Sequence, residues 1–534
     1  MQNSTKSIDT SWWPDRLLPT FQAPQHLDAY DMGGTSRETQ LSVATLVGLI
    51  NRLQPQVYLL SRGDDQFWLN EVLNSVPHTL SALRGDAILQ ELLTRNCDKV
   101  QGLIIYDPNI IDSVNIATII AGQRDGIIVS SVQADALHKP PYNLSVLADL
   151  RTYKWTSRLQ AYHWAQENLL SGANPHLIAG LAPTIPLAIR PYLVATRTFI
   201  YWLDPRNIWP HPSLGWLSEH GLMKHLFQAF PAQVVHLGWF IQEGTGVMLA
   251  SKAVKPVIAT DFFSNLEVWT SVVSEQIVQP SSASSVAETG KAVNANKVYL
   301  SFTLSEGDNF QYIQGRMLQL WKDPKRSSVP IGWAIAPALI EAAPAMAAYY
   351  MRTATPNDEL IAGPSGAGYM FPSQWPTEAL PAFLQRTGQL MQRMNLNVLQ
   401  VLDSNLLQSL TLLIRAVLTG AGMALVNVDR QQRFARELAS LGVRGILSGG
   451  GQGKASWRFI NGFPIYQNVG IAKNVKDAVA MIRQATPSQR PYFLNVYVLA
   501  WTMTPTDLYQ VAQQLGDEYE VVTPGTLLAM LPKG

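Results

Sequence analysis

The chain has 534 residues, 47% of them hydrophobic and only 15% charged, with a formal net charge of +1 and one cysteine, Cys97. That length predicts about three or four domains, and the near-neutral balance excludes the basic footprint of a nucleic-acid or anionic-membrane binder. One cysteine excludes an intrachain disulfide, and no apolar run of about 18 residues predicts a membrane-spanning helix.

Residues 1–24 are polar, carry tryptophan and proline, and predict an extended arm. They lack a basic start followed by an apolar run, so no signal peptide is visible, and the expected location is cytoplasmic unless an export signal is missing. Leu27–Asp31 reads as a strand, Ser36 to Leu53 has helical spacing, and Val57–Leu60 reads as a second strand. This βα-type unit predicts a first small domain over residues 25–95. Apolar Val100–Tyr106, a helical 114–123 and Gly126–Ser130 predict a second over 96–185. Phe199–Leu203, Val234–Trp239 and Val257–Ala259 predict a third over 186–280. Residues 281–291 are small and polar, which fits a linker.

From 292 to 534 the pattern repeats. Short apolar runs predict strands at Val298–Leu304, Ile331–Ile335, Glu359–Ala362, Val398–Leu402, Ala424–Val428, Gly445–Leu447, Pro464–Val469 and Phe493–Leu499. Helical stretches of crossover length separate most of them. Seven or eight such units predict an α/β fold with a carboxyl-terminal (β/α) barrel-like domain, a doubly wound open sheet being the rival.

Parallel α/β folds place their sites at the carboxyl ends of strands. Those ends carry Glu306, Asp308 and Asn309, then Asp403, Asp429 and Trp501. Each acid alone also suits a turn or helix cap. The third end runs into Gly363-Pro364-Ser365-Gly366-Ala367-Gly368-Tyr369-Met370-Phe371-Pro372, with three glycines, two prolines and two aromatics in ten residues. Glycine there permits a tight turn or the close approach of a ligand. Gly449-Gly450-Gly451-Gln452-Gly453-Lys454 lacks the Ser or Thr that completes a phosphate loop, so a mobile lid is the expectation instead.

The segment Gly366-Ala367-Gly368-Tyr369-Met370-Phe371-Pro372 resembles the motif G-x-G-Y-x-Y-P, with Phe371 in place of the second tyrosine. That motif belongs to the GxGYxYP family of putative glycoside hydrolases. Ser305-Glu306-Gly307-Asp308-Asn309 resembles the family's S-D-G-D-N segment, with Glu306 where Asp is usual. Residues 28–60, including Thr45-Leu46-Val47-Gly48-Leu49-Ile50-Asn51-Arg52, resemble its amino-terminal domain. The resemblance covers about residues 25–534, and it implies a carbohydrate substrate and glycosidic bond hydrolysis.

All nine histidines lie at or before His236. A Ser-His-Asp triad, or a metal site with imidazole ligands, therefore cannot be built from the carboxyl-terminal domain alone. His236, beside Trp239, is the best placed to join one from outside. Carboxylates and tyrosines remain, and glycoside hydrolysis uses two carboxyl groups, one protonated and one ionised. We expect Asp308 as a catalytic carboxylate with Glu306 or Asp403 as its partner, and no cofactor. Tyr369 and Phe371 would form a sugar-stacking wall, with Asn309, Ser365, Gly366, Gly368 and Asp429 lining the site. Trp202, Trp239 and Glu243 follow upstream strands and would line an interdomain cleft. Three alternatives stay open: a sugar-binding protein without chemistry, a metal-assisted hydrolase or deacetylase, and a hard cation such as calcium held by Glu306, Asp308 and Asn309.

Overall fold

The computed structural model describes residues 16–211, 214–215, 217–272, 293–307, 309–403, 425, 427–449, 451 and 453–533. The linker expected over 281–291 and the residue Asp308 lie outside these. The described residues fall into two compact units, one drawn from Met1–Leu249, Val257–Ser274 and Glu341–Ala345, the other from Ala250–Pro256, Glu275–Ile340 and Met346–Gly534.

The first unit holds three small, wholly parallel sheets. Strands β1 (Leu27–Asp31), β2 (Val57–Leu60) and β3 (His78–Leu80) form the first in the order β2-β1-β3. Strands β4 (Gly102–Ile105), β5 (Gly126–Val129) and β6 (Val146–Asp149) form the second in the order β5-β4-β6. The third runs β10-β9-β7-β8, from β7 (Leu177–Gly180), β8 (Phe199–Tyr201), β9 (Val235–Gly238) and β10 (Val257–Ile258). The helix Arg37–Ile50 starts at Ser36, whose hydroxyl accepts the Thr39 amide at 3.1 Å and so satisfies one orphan donor of the first turn. Buried side chains lock the sheets together: the Asn265 amide group bonds both N and O of Leu59, and the fully buried Arg190 donates to the Ile185 carbonyl and the Thr118 hydroxyl. Residues 16–22 pack on this unit, with the Tyr192 hydroxyl donating to the Pro19 carbonyl at 3.1 Å.

The second unit is one large curled, mostly parallel sheet flanked by helices. Its strands are β11 (Val298–Leu304), β12 (Ile331–Ile335), β13 (Asp358–Ala362), β14 (Val398–Val401), β15 (Gly445–Ser448), β16 (Ser456–Ile460), β17 (Phe463–Gln467), β18 (Ile471–Ala472), β19 (Tyr492–Val498) and β20 (Tyr519–Val521). The order is β16-β17-β15-β14-β13-β12-β11-β19-β18, with β20 against β11. Among the described residues, only the β16–β17 hairpin is antiparallel. The continuous run 463–472 reaches both flanks of the curl. Its first half pairs with β15, and its second half pairs with β19 through the Val469 amide to the Asn495 carbonyl and the Tyr497 amide to the Gly470 carbonyl. The barrel-like expectation therefore holds as a curled sheet.

One face of that sheet is layered. Tyr299, Ala334, Ile361, Val398, Leu447, Tyr466 and Phe493, one from each of β11 to β15, β17 and β19, form a single apolar cluster with Leu527, Leu528 and Leu531. The sheet thus curls around the carboxyl-terminal helix Pro524–Met530. Glu359 anchors that helix, its carboxylate accepting the Gly525 amide at 2.7 Å.

Side chains two residues apart on a strand share a face. Moving two to four residues towards the strand ends reaches Ser301, Thr303, Gln400, Asn468, Asn495 and Tyr497, all buried. The apolar layer therefore gives way to a polar one. Asn495 is its hub: it accepts from Ser301 at 2.5 Å and Thr303 at 3.1 Å, and donates to Asn468 at 2.6 Å. Asn468 donates onward to the Gly449 carbonyl at 2.7 Å.

One expected strand is corrected. Of Ala424–Val428, Leu425 and Asn427 are not in a strand, and Val428 opens the helix Val428–Ala439; the remaining two positions lie outside the described residues. Asn427 caps that helix by accepting the Arg430 amide at 3.1 Å. The lid expected at 449–454 is tied down where it is described: the Gly453 amide donates to the Val469 carbonyl at 2.8 Å.

Candidate active site

The carboxyl ends of β11 and β19 bring Glu306, Tyr312 and Trp501 together. Glu306 follows β11 with a left-handed φ of +82°, outside the normal range for a side-chain-bearing residue. Burial pushes its carboxyl up from the usual glutamate range, and the Trp501 indole, which favours the charged form, only partly offsets this. Asn309 begins the next helical segment, its side-chain oxygen accepting the Tyr312 amide at 3.0 Å. This turns Tyr312 inward, where its hydroxyl is buried without a hydrogen-bond partner among the described residues. Burial first, and the Glu306 charge second, raise the Tyr312 phenol. Its ring meets Trp501 edge-on at 5.7 Å, and Trp501 itself is 47% exposed. The group is therefore a carboxyl biased towards its protonated form, a buried phenol and an open indole face.

The loop after β13 closes the ends of neighbouring strands through glycine contacts. A Cβ on Gly363 would lie 2.5 Å from the Gly307 backbone, and one on Gly307 only 2.4 Å from the Ala334 carbonyl carbon. These glycines serve backbone packing. Gly366, with φ +130°, lies against Thr387 in the same way, and Thr387 accepts the Ala367 amide at 3.0 Å. Ser365 ties the loop to the end of β14, donating to the Leu402 carbonyl at 3.1 Å. Residues 363–372, Gly368 among them, are all buried. Tyr369 and Phe371 meet edge-to-face at 5.5 Å inside the loop, so they shape the wall from within, and the exposed aromatic at the mouth is Trp501.

Asp403 follows β14 and is 1% exposed. It accepts the Ser373 amide at 3.0 Å and the Ser373 hydroxyl at 2.7 Å. Its charge also acts on Arg430, which donates to the Trp375 carbonyl at 2.8 Å. In the polar layer below, the Gln400 side-chain oxygen is buried without a partner among the described residues. Buried polar groups are normally paired, so the Gln400 oxygen and the Tyr312 hydroxyl are exceptions among the described residues.

The other expected residues lie elsewhere. Asp429 stands in the first turn of the helix Val428–Ala439, exposed and paired with Arg433 at 3.1 Å. Trp202, Trp239 and Glu243 belong to the first unit, Trp202 and Trp239 past β8 and β9 and Glu243 at the start of the helix Glu243–Lys252. His236 is fully buried there, bonded to the Tyr201 hydroxyl at 2.7 Å and stacked on Phe240 at 4.4 Å. Burial lowers its pKa to about 3, which keeps the imidazole neutral. Asp308 lies outside the described residues. Tyr312, Ser373 and Gln400 carry no motif. Ser373 does follow the loop directly, and Gln400 is the one polar residue inside the run Val398–Leu402.

Among the described residues, no group of three or more His, Cys, Asp or Glu side chains could hold a metal. The Asn309 oxygen expected in a cation site is already engaged by the Tyr312 amide. No helix of the described residues is long and apolar enough to cross a membrane.

Comparison with known proteins places these observations. Residues 296–531 match the family model described as "GxGYxYP putative glycoside hydrolase C-terminal domain". Residues 26–86, 100–173 and 175–271 match the models of the first, second and third amino-terminal domains of the same family. A crystal structure described as a putative hydrolase from Bacteroides thetaiotaomicron VPI-5482 is similar in fold. Its TM-score is 0.78 at 20% identity, over 96% of this chain and 95% of that one. No curated protein matches the chain.

Proposed function

The chain belongs to the GxGYxYP family, and from that premise we propose that the mouth of the curled sheet hydrolyses a glycosidic bond of a carbohydrate with its own carboxyl groups. The observation that carries this reading is Glu306, whose burial favours the protonated form at the carboxyl end of β11. A carboxylic acid kept protonated near neutral pH can donate its proton to a departing glycosidic oxygen. Asp308, in the segment that resembles the family's acidic motif, is the proposed ionised partner that meets the oxocarbenium-like charge or activates water. Asp403, oriented by Ser373, is the alternative partner. Trp501 offers its exposed face for a sugar ring to stack on. The Tyr312 hydroxyl and the Gln400 side chain supply polar contacts to sugar hydroxyls.

The test is sugar release from soluble polysaccharides and aryl glycosides by the wild type, Glu306→Gln and Asp308→Asn. Each substitution removes a charge or proton with little change in volume. Activity should fall by roughly 10²- to 10⁴-fold in each folded variant. Sugar binding by the wild type without release would instead make this a carbohydrate-binding protein. Sugar release abolished by a chelator would favour metal-assisted hydrolysis, and chelator-sensitive release of acetate in its place would favour deacetylation. Full activity in Glu306→Gln would remove Glu306 as the acid.

A further inference from the structure

The first unit carries a group of aromatic rings that the site above does not use. Tyr153 and Trp155 are separated by Lys154, whose left-handed φ of +52° ends the short helix Leu150–Tyr153. The two rings stack with centroids 5.0 Å apart and planes 30° apart. Trp164, from the helix Arg158–Leu169, meets Tyr153 at 4.8 Å and Trp155 at 5.5 Å. The three rings therefore form one continuous cluster, and it stands at the surface: Tyr153 is 39% exposed and both tryptophans are half-buried.

Their polar ends set them apart from the core aromatics of the same unit. Buried Tyr162, Tyr192 and Tyr201 each have a hydroxyl partner, in Asp112, Pro19 and His236. The Tyr153 hydroxyl and the Trp155 and Trp164 indole N–H groups have none among the described residues. The flanks are polar and balanced in charge. Arg151 grips Asp149 through two bonds, at 2.9 and 2.7 Å. Glu167 and Asn168, three and four positions after Trp164, share its helix face and are exposed.

We propose that Tyr153, Trp155 and Trp164 form an accessory glycan-binding platform that serves to hold a polysaccharide chain. A pyranose presents an apolar C–H face ringed by hydroxyls. The rings match that face, and their N–H and O–H groups match the hydroxyls. The surface fits a protein partner less well: the exposed neighbours Arg151, Thr152, Lys154 and Thr156 are all polar, whereas a stable interface needs about 800 Å² per partner with an apolar centre. The paired charges give no basic track for nucleic acid. The inference rests on the carbohydrate reading of the family, but not on any catalytic assignment.

Native affinity electrophoresis of the full chain, through gels cast with soluble starch, arabinoxylan, galactomannan or pectin, tests it. The wild type should be retarded in at least one gel. Tyr153→Ala and Trp155→Ala should each raise the apparent Kd for that polymer about tenfold or more, with sugar release from short aryl glycosides unchanged. Glu306→Gln should lose release yet keep full retardation, which separates failure of the platform from failure of the catalytic reading. Near-UV circular dichroism checks that the variants are folded, and Tyr153→Phe, which keeps the ring, should retain most of the retardation. Free migration of the wild type in all four gels would overturn the proposal. So would undiminished retardation of folded Tyr153→Ala and Trp155→Ala.

Discussion

Two layers on one face of the curled sheet, only two residues apart along each strand, handle burial in opposite ways. The lower layer, from Tyr299 to Phe493, is apolar and filled by Leu527, Leu528 and Leu531 of the carboxyl-terminal helix. The upper layer is equally buried but polar, and at the strand ends above it the Tyr312 hydroxyl has no partner among the described residues, as Gln400 has none for its side-chain oxygen. The two glutamates follow the same division. Glu359 is half-buried below and engaged by the Gly525 amide, whereas Glu306, also half-buried, stands at the mouth beside Trp501. The lower layer uses its side chains to hold the fold together. The upper one is joined by side-chain hydrogen bonds centred on Asn495.

Substitutions can break this division, and the largest expected effect is at Glu306. Glu306→Gln should lower kcat by roughly 10²- to 10⁴-fold while leaving the denaturant midpoint unchanged or slightly raised, because a buried carboxyl is replaced by a neutral amide. A large stability loss with residual activity intact would place Glu306 in the structural class with Glu359.

In the lower layer, Leu527→Ala should destabilise the second unit by about 2–5 kcal/mol, measured by urea unfolding. The kcat of the protein that remains folded should stay the same. A fall in kcat at conditions far from unfolding would show that the layers are coupled.

A pH experiment sharpens the comparison further. Burial raises both Glu306 and Glu359 above the usual range. For each, the stabilising contribution is complete below the unfolded carboxyl pKa of about 4.3 and is lost as pH rises through the raised folded value. Glu359→Gln should flatten the decline of stability across that window and leave the pH–rate profile alone. Activity of the wild type should fall on the alkaline side as the proposed acid, Glu306, loses its proton. A pH–rate profile altered by Glu359→Gln would contradict the division.

The smallest effect is expected at Tyr312→Phe. The lost hydroxyl leaves no group of the described residues unpaired, so stability should stay within about 1 kcal/mol. If the hydroxyl contacts substrate, kcat/KM should fall about tenfold, equivalent to ~1.4 kcal/mol. An unchanged kcat/KM would remove Tyr312 from the site.

Much of the second unit was legible because strands buried on both faces appear as near-continuous apolar runs. Val298–Leu304 and Ile331–Ile335 match β11 and β12 residue for residue. Ala424–Val428 misled because its apolar pattern was weighed without the helix-start signals beside it, Asn427 as cap and Asp429 in the first turn. Leu177–Gly180, an inner strand of the third sheet, was not read as a strand. In the Gly-rich loop the sequence left a tight turn and the close approach of a ligand both open, and the contacts that distinguish them come from other segments. Gly363 and Gly366 are demanded by Gly307 and Thr387, and Tyr369 and Phe371 face inward.

By itself the sequence determined the α/β class, the family and most of the repeating strands, because these depend on short-range pattern and composition. The tertiary structure alone decided which of those residues share one environment. It joined Glu306 to Tyr312 and Trp501, set Asp403 against Ser373, and sent Asp429 to a solvent-facing helix turn. Burial, left-handed backbone and hydrogen-bond partners arise from segments far apart in the chain. A carboxyl's proton affinity follows from that assembled environment, not from its neighbours in sequence.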